Sequence, residues 1–224
     1  MNFTIDYNPV YSTLKVDMRS GERLRAEPGA MLSMSPNIVL QTTSAGSGLL
    51  GTIKAAVGSG SLFAAIYEAQ HPGGELILAP ASPGDILQLD LRNETVFTQR
   101  GAYLAGDVSL TLSAQGSIKA MMAGESMFLS KVSGSGPLFL CSFGAIYSRT
   151  LGIGESYTVD TGHIVAFTDG MSFNVTKAAR GILSSLASRE GLVCSFTGPG
   201  TVWIQTRSPR SLVDLLNPFL PSGG

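Results

Sequence analysis

The sequence predicts an all-β protein of three repeated β units, with short helical turns and a C-terminal helix. Two observations carry this. The string GSIKAMMAGESMFLSKV, Gly116 to Val132, returns upstream as GTIKAAVGSGSLFAAIY, Gly51 to Tyr67, and downstream as GILSSLASREGLVCSFT, Gly181 to Thr197; the leading glycines (51, 116, 181) are 65 positions apart both times. A fixed period marks one structural unit copied along the chain, here too small to bury its own apolar face well. The composition is the second observation: 27 glycines, 44% apolar residues and only 14% charged residues fit many short buried strands joined by tight turns. The period divides the chain into residues 1–82, 83–146 and 147–224.

Taken in order, Phe3, Ile5 and Tyr7 alternate with polar neighbours, and after Asn8-Pro9 the alternation resumes at Leu14, Val16 and Met18. A period of two over that length predicts two half-buried strands. The segment EPGAMLSMSPNIVLQ, Glu27 to Gln41, opens on a Pro-Gly turn and breaks again at Ser35-Pro36, which predicts a hairpin. The second copy, Leu87 to Ser113, puts Gly101 where Gly29 stands, and the third, Tyr157 to Thr176, puts Gly162 there. About seven residues after Gly51, Gly116 and Gly181 are rich in Ala, Ile, Lys and Leu and read as a short helical turn. A strand follows in each copy, apolar at successive positions and so expected to be covered on both faces.

A glycine turn then closes each unit, at HPGG, GSGP and TGPG. In the last strand of each unit, Leu76 and Leu78, Leu138 and Leu140, Val202 and Ile204 share a core face. Ile77, Phe139 and Trp203 project from the other side, and are predicted at contacts between units or between subunits, where burying each contributes ~1.5–3 kcal/mol. At the C-terminus, Ser208 is placed to cap a helix, Pro209 suits its first turn, Leu212, Leu215 and Leu216 form a stripe, and Pro218 stops it. Such a helix is expected to cover a sheet edge.

Chemistry is sparse. Fifteen basic and sixteen acidic residues, net charge -1, offer no electrostatic footprint for nucleic acid. Cys141 and Cys194 fall at different points of the repeat and are expected as buried thiols, not as a disulfide or a metal cluster; two histidines, His71 and His163, are too few for a histidine metal site. GSGLLG, Gly46 to Gly51, matches G-x-G-x-x-G, but its copies keep only the last glycine, so it reads as a connection. Glu27, Glu125, Glu155 and Glu190 stand beside glycine turns, Glu125 after Gly124, and are read as acceptors for turn N–H groups, with paired glutamate catalysis the less favoured reading. No cofactor is expected. Leu49 to Ala69 is long and apolar enough for a membrane span but carries Lys54, Glu68 and three glycines, and the N-terminus shows no export or transit pattern, so the expectation is a cytoplasmic protein without a transmembrane segment.

The strings EPGAMLSM (Glu27 to Met34), GESMF (Gly124 to Phe128), VDTGHIVAF (Val159 to Phe167) and EGLVCSFTGPGTVWIQT (Glu190 to Thr206) resemble the TRAP-like family that contains the mitochondrial biogenesis (altered inheritance of mitochondria) proteins and many prokaryotic members. The resemblance covers nearly the whole chain. It implies units like those of the tryptophan RNA-binding attenuation protein, which are short relatives of the double-stranded β-helix of β-sandwich type. It also implies a compact ring-like homo-oligomer, a trimer by preference, and for eukaryotic relatives a role in organising the mitochondrial inner membrane. Basic residues at ring edges, on which RNA binding depends, recur here as Lys54 and Lys119 but give way to Ser184 in the third copy. The leading expectation is therefore a non-enzymatic oligomeric scaffold or interaction protein. Its alternative is a nucleic-acid or small-ligand module using the EPG, QRG and DTG turns.

Overall fold

A computed structural model describes residues 1–41, 65–119, 126–177 and 192–220, excepting the side chains of 114–119, 126–128 and 177. The described residues are mostly β. The strands are β1 (Asn2–Asp6), β2 (Thr13–Arg19), β3 (Arg23–Ala26), β4 (Met31–Met34), β5 (Ile38–Gln41), β6 (Ala65–Ala69), β7 (Gly73–Leu78), β8 (Ile86–Gln99) and β9 (Tyr103–Asp107). They continue as β10 (Thr111–Lys119), β11 (Ser126–Cys141), β12 (Ile146–Leu151), β13 (Ser156–Asp160), β14 (Ile164–Thr168), β15 (Ser172–Lys177), β16 (Leu192–Thr197) and β17 (Gly200–Gln205). Helix α1 (Pro209–Leu216) follows. The alternation at Leu14, Val16 and Met18 becomes the buried face of β2, as period-two patterning requires.

The described strands form three sheets. β1-β2-β7-β4 is one outer sheet and β13-β16-β15 the other, while a ten-stranded sheet runs β12-β17-β14-β8-β11-β9-β3-β6-β5 with β10 beside β11. The long strands β8 and β11 pair along most of their length, with a register shift at Gly134/Ser135. The shift sits where Gly134 (φ +130°) and Gly136 (φ +138°) adopt backbone conformations that side chains disfavour. GSGP is thus a bulge inside one continuous strand, not the closing turn the sequence suggested. The helical turn expected after Gly116 is likewise replaced, because Gly116 to Lys119 complete β10, paired to β11 through Ser117, Ile118 and Lys119. Its counterparts after Gly51 and Gly181 lie outside the described residues, as do Gly46 to Gly51 and Leu49 to Ala64.

The ten-stranded sheet serves three hydrophobic clusters. Leu14, Val16, Leu76 and Leu78 of the first outer sheet meet Leu24, Tyr67, Leu104 and Phe139 in one cluster. Leu138, Leu140, Val132 and Val96 form the second with Tyr103 and Val165, and Trp203 packs against it. Phe167, Phe196, Val202 and Ile204 form the third, with ring centroids 5.0 Å apart for Phe167 and Phe196 and 5.3 Å for Phe97 and Phe167. Neighbouring residues on β11 thus face different clusters. The same covered-strand motif is therefore buried on both faces in β11, at Leu129, Ser130 and Val132, but on alternate residues only in β16.

Polar pairs line part of both outer faces. Lys15 bridges Glu75 at 2.9 Å on one, and Ser156–Thr197 and Thr158–Ser195 hydroxyl pairs, each at 3.0 Å, line the other. α1 forms where expected, with Pro209 in its first turn, but Ser208 makes no side-chain cap bond and no helix residue is buried. Instead of covering an edge, the helix leaves Leu212, Val213, Leu215 and Leu216 exposed.

Candidate functional site

The turns aligned by the sequence meet at one place. Glu27 of EPG, Arg100 and Gly101 of QRG, and Gly162 of DTG line a single cleft of about 500 Å³, closed on its other sides by Cys141, Phe143, Gln205 and the start of α1. β3 delivers Glu27, whose N–H donates to Leu104 O of β9 at 2.8 Å. The β8–β9 turn delivers Arg100 and Gly101. A 3₁₀ turn at Thr161–His163 delivers Gly162, whose N–H donates to Asp160 Oδ1 at 2.7 Å.

The glycines are not equivalent. Gly29 and Gly101 share φ near +85° (+87° and +82°) with open space around them, so each is required by its turn. Gly162 is closely approached instead, since a Cβ there would lie 2.8 Å from Ser208 Oγ, a side-chain oxygen that would have to turn away. Gly29 itself is not part of the cleft wall; Glu27 is.

Gln205 ties the wall together. Its Oε1 accepts from Phe143 N–H at 2.9 Å, its Nε2 donates to Gly162 O at 2.9 Å, and its carbonyl lies 2.9 Å from His163 Nδ1. The Cys141 thiol donates to Gly101 O at 3.4 Å. Burial pushes that thiol up to about 12, as it does Cys194, so both are neutral thiols. Two polar groups of the wall stand out. Gln99 Oε1 is buried with no hydrogen-bond partner, and the Glu27 carboxyl, half-buried, is raised above its usual range by desolvation alone.

A raised carboxyl binds its proton more tightly folded than unfolded. Its contribution to stability is full at acid pH and is lost as pH rises through the folded value. Glu27→Gln removes the burden of the buried charge, so the variant is expected to melt higher than the parent at pH 7.5, with the gap closing below about pH 4. Paired thermal melts from pH 4 to 8 measure this, and an equal or lower Tm at pH 7.5 contradicts it.

The predicted interface residues lie elsewhere. Phe139 is fully buried, 4.8 Å ring to ring from Phe3. Trp203 is half-buried against the second cluster, and Ile77 is half-buried on the outer face of β7 opposite Lys15. Gly124, Glu125 and Glu190 lie outside the described residues. Cys141, Gln205 and Arg210 were not singled out for the site by sequence, because only the fold brings them to the three turns; Gln99 belongs to the QRG string itself.

A profile of the family described as Mitochondrial biogenesis AIM24 matches residues 3–207. The chain belongs to the AIM24 family. This AIM24 chain is 31% identical over 232 residues to an uncharacterised protein of Streptococcus pyogenes serotype M6, covering 99% of the chain and 92% of the relative. It is also similar to the crystal structure of protein SPYM3_0169 from Streptococcus pyogenes, with a TM-score of 0.81, 28% identity, and 98% and 99% of the two chains covered. Among the described residues of the AIM24 chain, no helix is long and apolar enough to cross a membrane.

Proposed function

We propose that the protein is a non-enzymatic interaction scaffold that self-associates, built from three units of the kind found in the tryptophan RNA-binding attenuation protein. One observation carries the association. Among the described residues β4 and β5, consecutive in the chain, are edge strands of their sheets, and they expose Met31, Leu32, Met34, Val39 and Leu40. Edge strands offer unpaired backbone groups, and soluble proteins normally blunt them with charge. The non-enzymatic reading is supported by the state of the candidate groups: both thiols are neutral, and the His163 Nδ1 contact is with a backbone carbonyl, not with a nucleophile.

The oligomer is proposed to be a trimer, following the resemblance. Leu32→Lys, at an exposed site, is expected to shift sedimentation at micromolar concentration toward the monomer while leaving Tm of the chain within a few degrees. A parent protein that is already monomeric under those conditions removes the reading.

A second reading, a small-ligand binder, is favoured by the convergence of the three turns on one cleft. Its volume falls within the range of ligand sites, and its unmatched Gln99 oxygen and desolvated Glu27 are the kind of polar groups such sites carry. Native mass spectrometry of protein purified from its host tests this reading through any retained small molecule.

A further inference from the structure

The cleft does not stand alone. A second cavity of about 530 Å³ adjoins it, and Phe143 and Ser208 line both. The chemistry changes across that shared wall. On the cleft side stand Arg100 and Arg210; the groove side is mainly apolar, with Val10, Tyr11, Leu212 and Leu215, and its one guanidinium, Arg207, donates from Nη1 to Thr206 O at 3.0 Å. Arg100 is exposed, and among the described residues no carboxylate pairs with it. The groove side chains are exposed as well: Tyr11 by 72%, Leu215 by 65% and Leu212 by 39%. An amphipathic helix whose apolar residues lie in water, beside a site with two guanidinium groups, matches a ligand that is charged at one end only.

We propose that cleft and groove together bind one molecule of a single-chain anionic amphiphile, its carboxylate or phosphate head at Arg100 and Arg210 and its hydrocarbon chain along Tyr11, Leu212 and Leu215. This rests on the reading of the cleft as a ligand site and is independent of self-association. Guanidinium groups suit both head groups, because their N–H donors match two acceptor oxygens at once. Glu27 is the one carboxyl of the cleft wall, and desolvation raises its affinity for a proton, so it opposes an anionic head less than a solvated carboxylate would. The shared wall at Phe143 and Ser208 is where head gives way to chain.

The test is calorimetric titration of the full chain with octanoate, decanoate, dodecanoate and dodecyl phosphate below their micelle concentrations, with acetate and dodecyltrimethylammonium as controls. One dodecanoate per chain is expected. A fully buried methylene tightens binding about four-fold, and the half-open groove halves that exponent to about two-fold per methylene. Arg100→Gln is expected to weaken dodecanoate about ten-fold by removing a charge-assisted contact. Leu212→Ser flattens the chain-length series while leaving octanoate nearly unchanged. Both residues are on the surface, and matching melts show that the variants fold.

The relative affinities of dodecanoate and dodecyl phosphate assign the head group. Equal binding of the cationic amphiphile, or an Arg100→Gln variant as tight as the parent, overturns the proposal. Binding of acetate with no chain-length dependence overturns the amphiphile while leaving the cleft a ligand site. No binding by any probe, with no molecule retained in native mass spectra, removes both. Capture by phosphatidylglycerol vesicles without binding of monomeric dodecanoate would mean a membrane surface, and overturns it too.

Discussion

Phe139→Ala is expected to cost about 3–5 kcal/mol of stability, the range for deleting a fully buried aromatic ring from a packed core. Phe139 has no exposed surface and its ring lies 4.8 Å from that of Phe3. Its neighbours on β11, Leu138 and Leu140, face the second cluster while Phe139 faces the first, so the cavity opens between an outer sheet and the central one, with strands fixed on both sides. Relaxation around the hole is limited there, which places the cost toward the upper end. Ile77, aligned with Phe139 in sequence, stands half-buried on the outer face of β7, and Ile77→Ala is expected to cost about 1 kcal/mol or less. Urea unfolding of both variants, compared at equal m, measures the contrast. Equal losses, or a Phe139→Ala loss under about 1 kcal/mol, contradict it.

That contrast shows what was legible in the sequence. Alternation at Leu14, Val16 and Met18, and at Val202 and Ile204, identified strands and their core faces because a half-buried strand writes its burial in period two. It could not say which sheet would be covered on its second face. Ile77, Phe139 and Trp203 read alike, yet one lies on an outer sheet and two on the central sheet, a difference set by how sheets join and not by local pattern. GSGP misled for a related reason: glycines that end a strand and glycines that bend one look the same, and the pairing of β8 with β11 decides between them. At the cleft, the EPG, QRG and DTG turns were visible as aligned strings, but their convergence was not. Gln99 and Arg100 come with QRG, but Cys141 and Gln205 come from the ends of strands far away in sequence, and no spacing rule connects them to that turn.

Gly84→Ala is expected to be the most damaging small substitution near the cleft, costing about 3 kcal/mol or more. An added Cβ would lie 1.9 Å from Ser142 O, 2.7 Å from its carbonyl carbon and 3.1 Å from Gly144 N, all of them backbone atoms. They have little freedom to yield. Gly84 and Gly144 form a parallel bridge; Gly144 N–H donates to Pro83 O at 3.0 Å, Asp85 N–H to Gly144 O at 3.1 Å, and Ser12 N–H to Gly84 O at 3.0 Å. The bonds of Thr206 N–H to Ala145 O and Arg207 N–H to Phe143 O tie the same crossing to the strand end that leads into α1. Moving Ser142 to admit the methyl group therefore also displaces Phe143, the wall shared by cleft and groove. Gly21→Ala separates this steric cost from the general cost of replacing glycine: Gly21 has φ +82° but nothing within 4 Å of its added Cβ, so only the backbone penalty of about 1–2 kcal/mol applies. Urea midpoints of the two variants decide the matter. If Gly84→Ala is no less stable than Gly21→Ala, the close crossing of the two chain segments at Gly84 and Gly144 is not what fixes the wall.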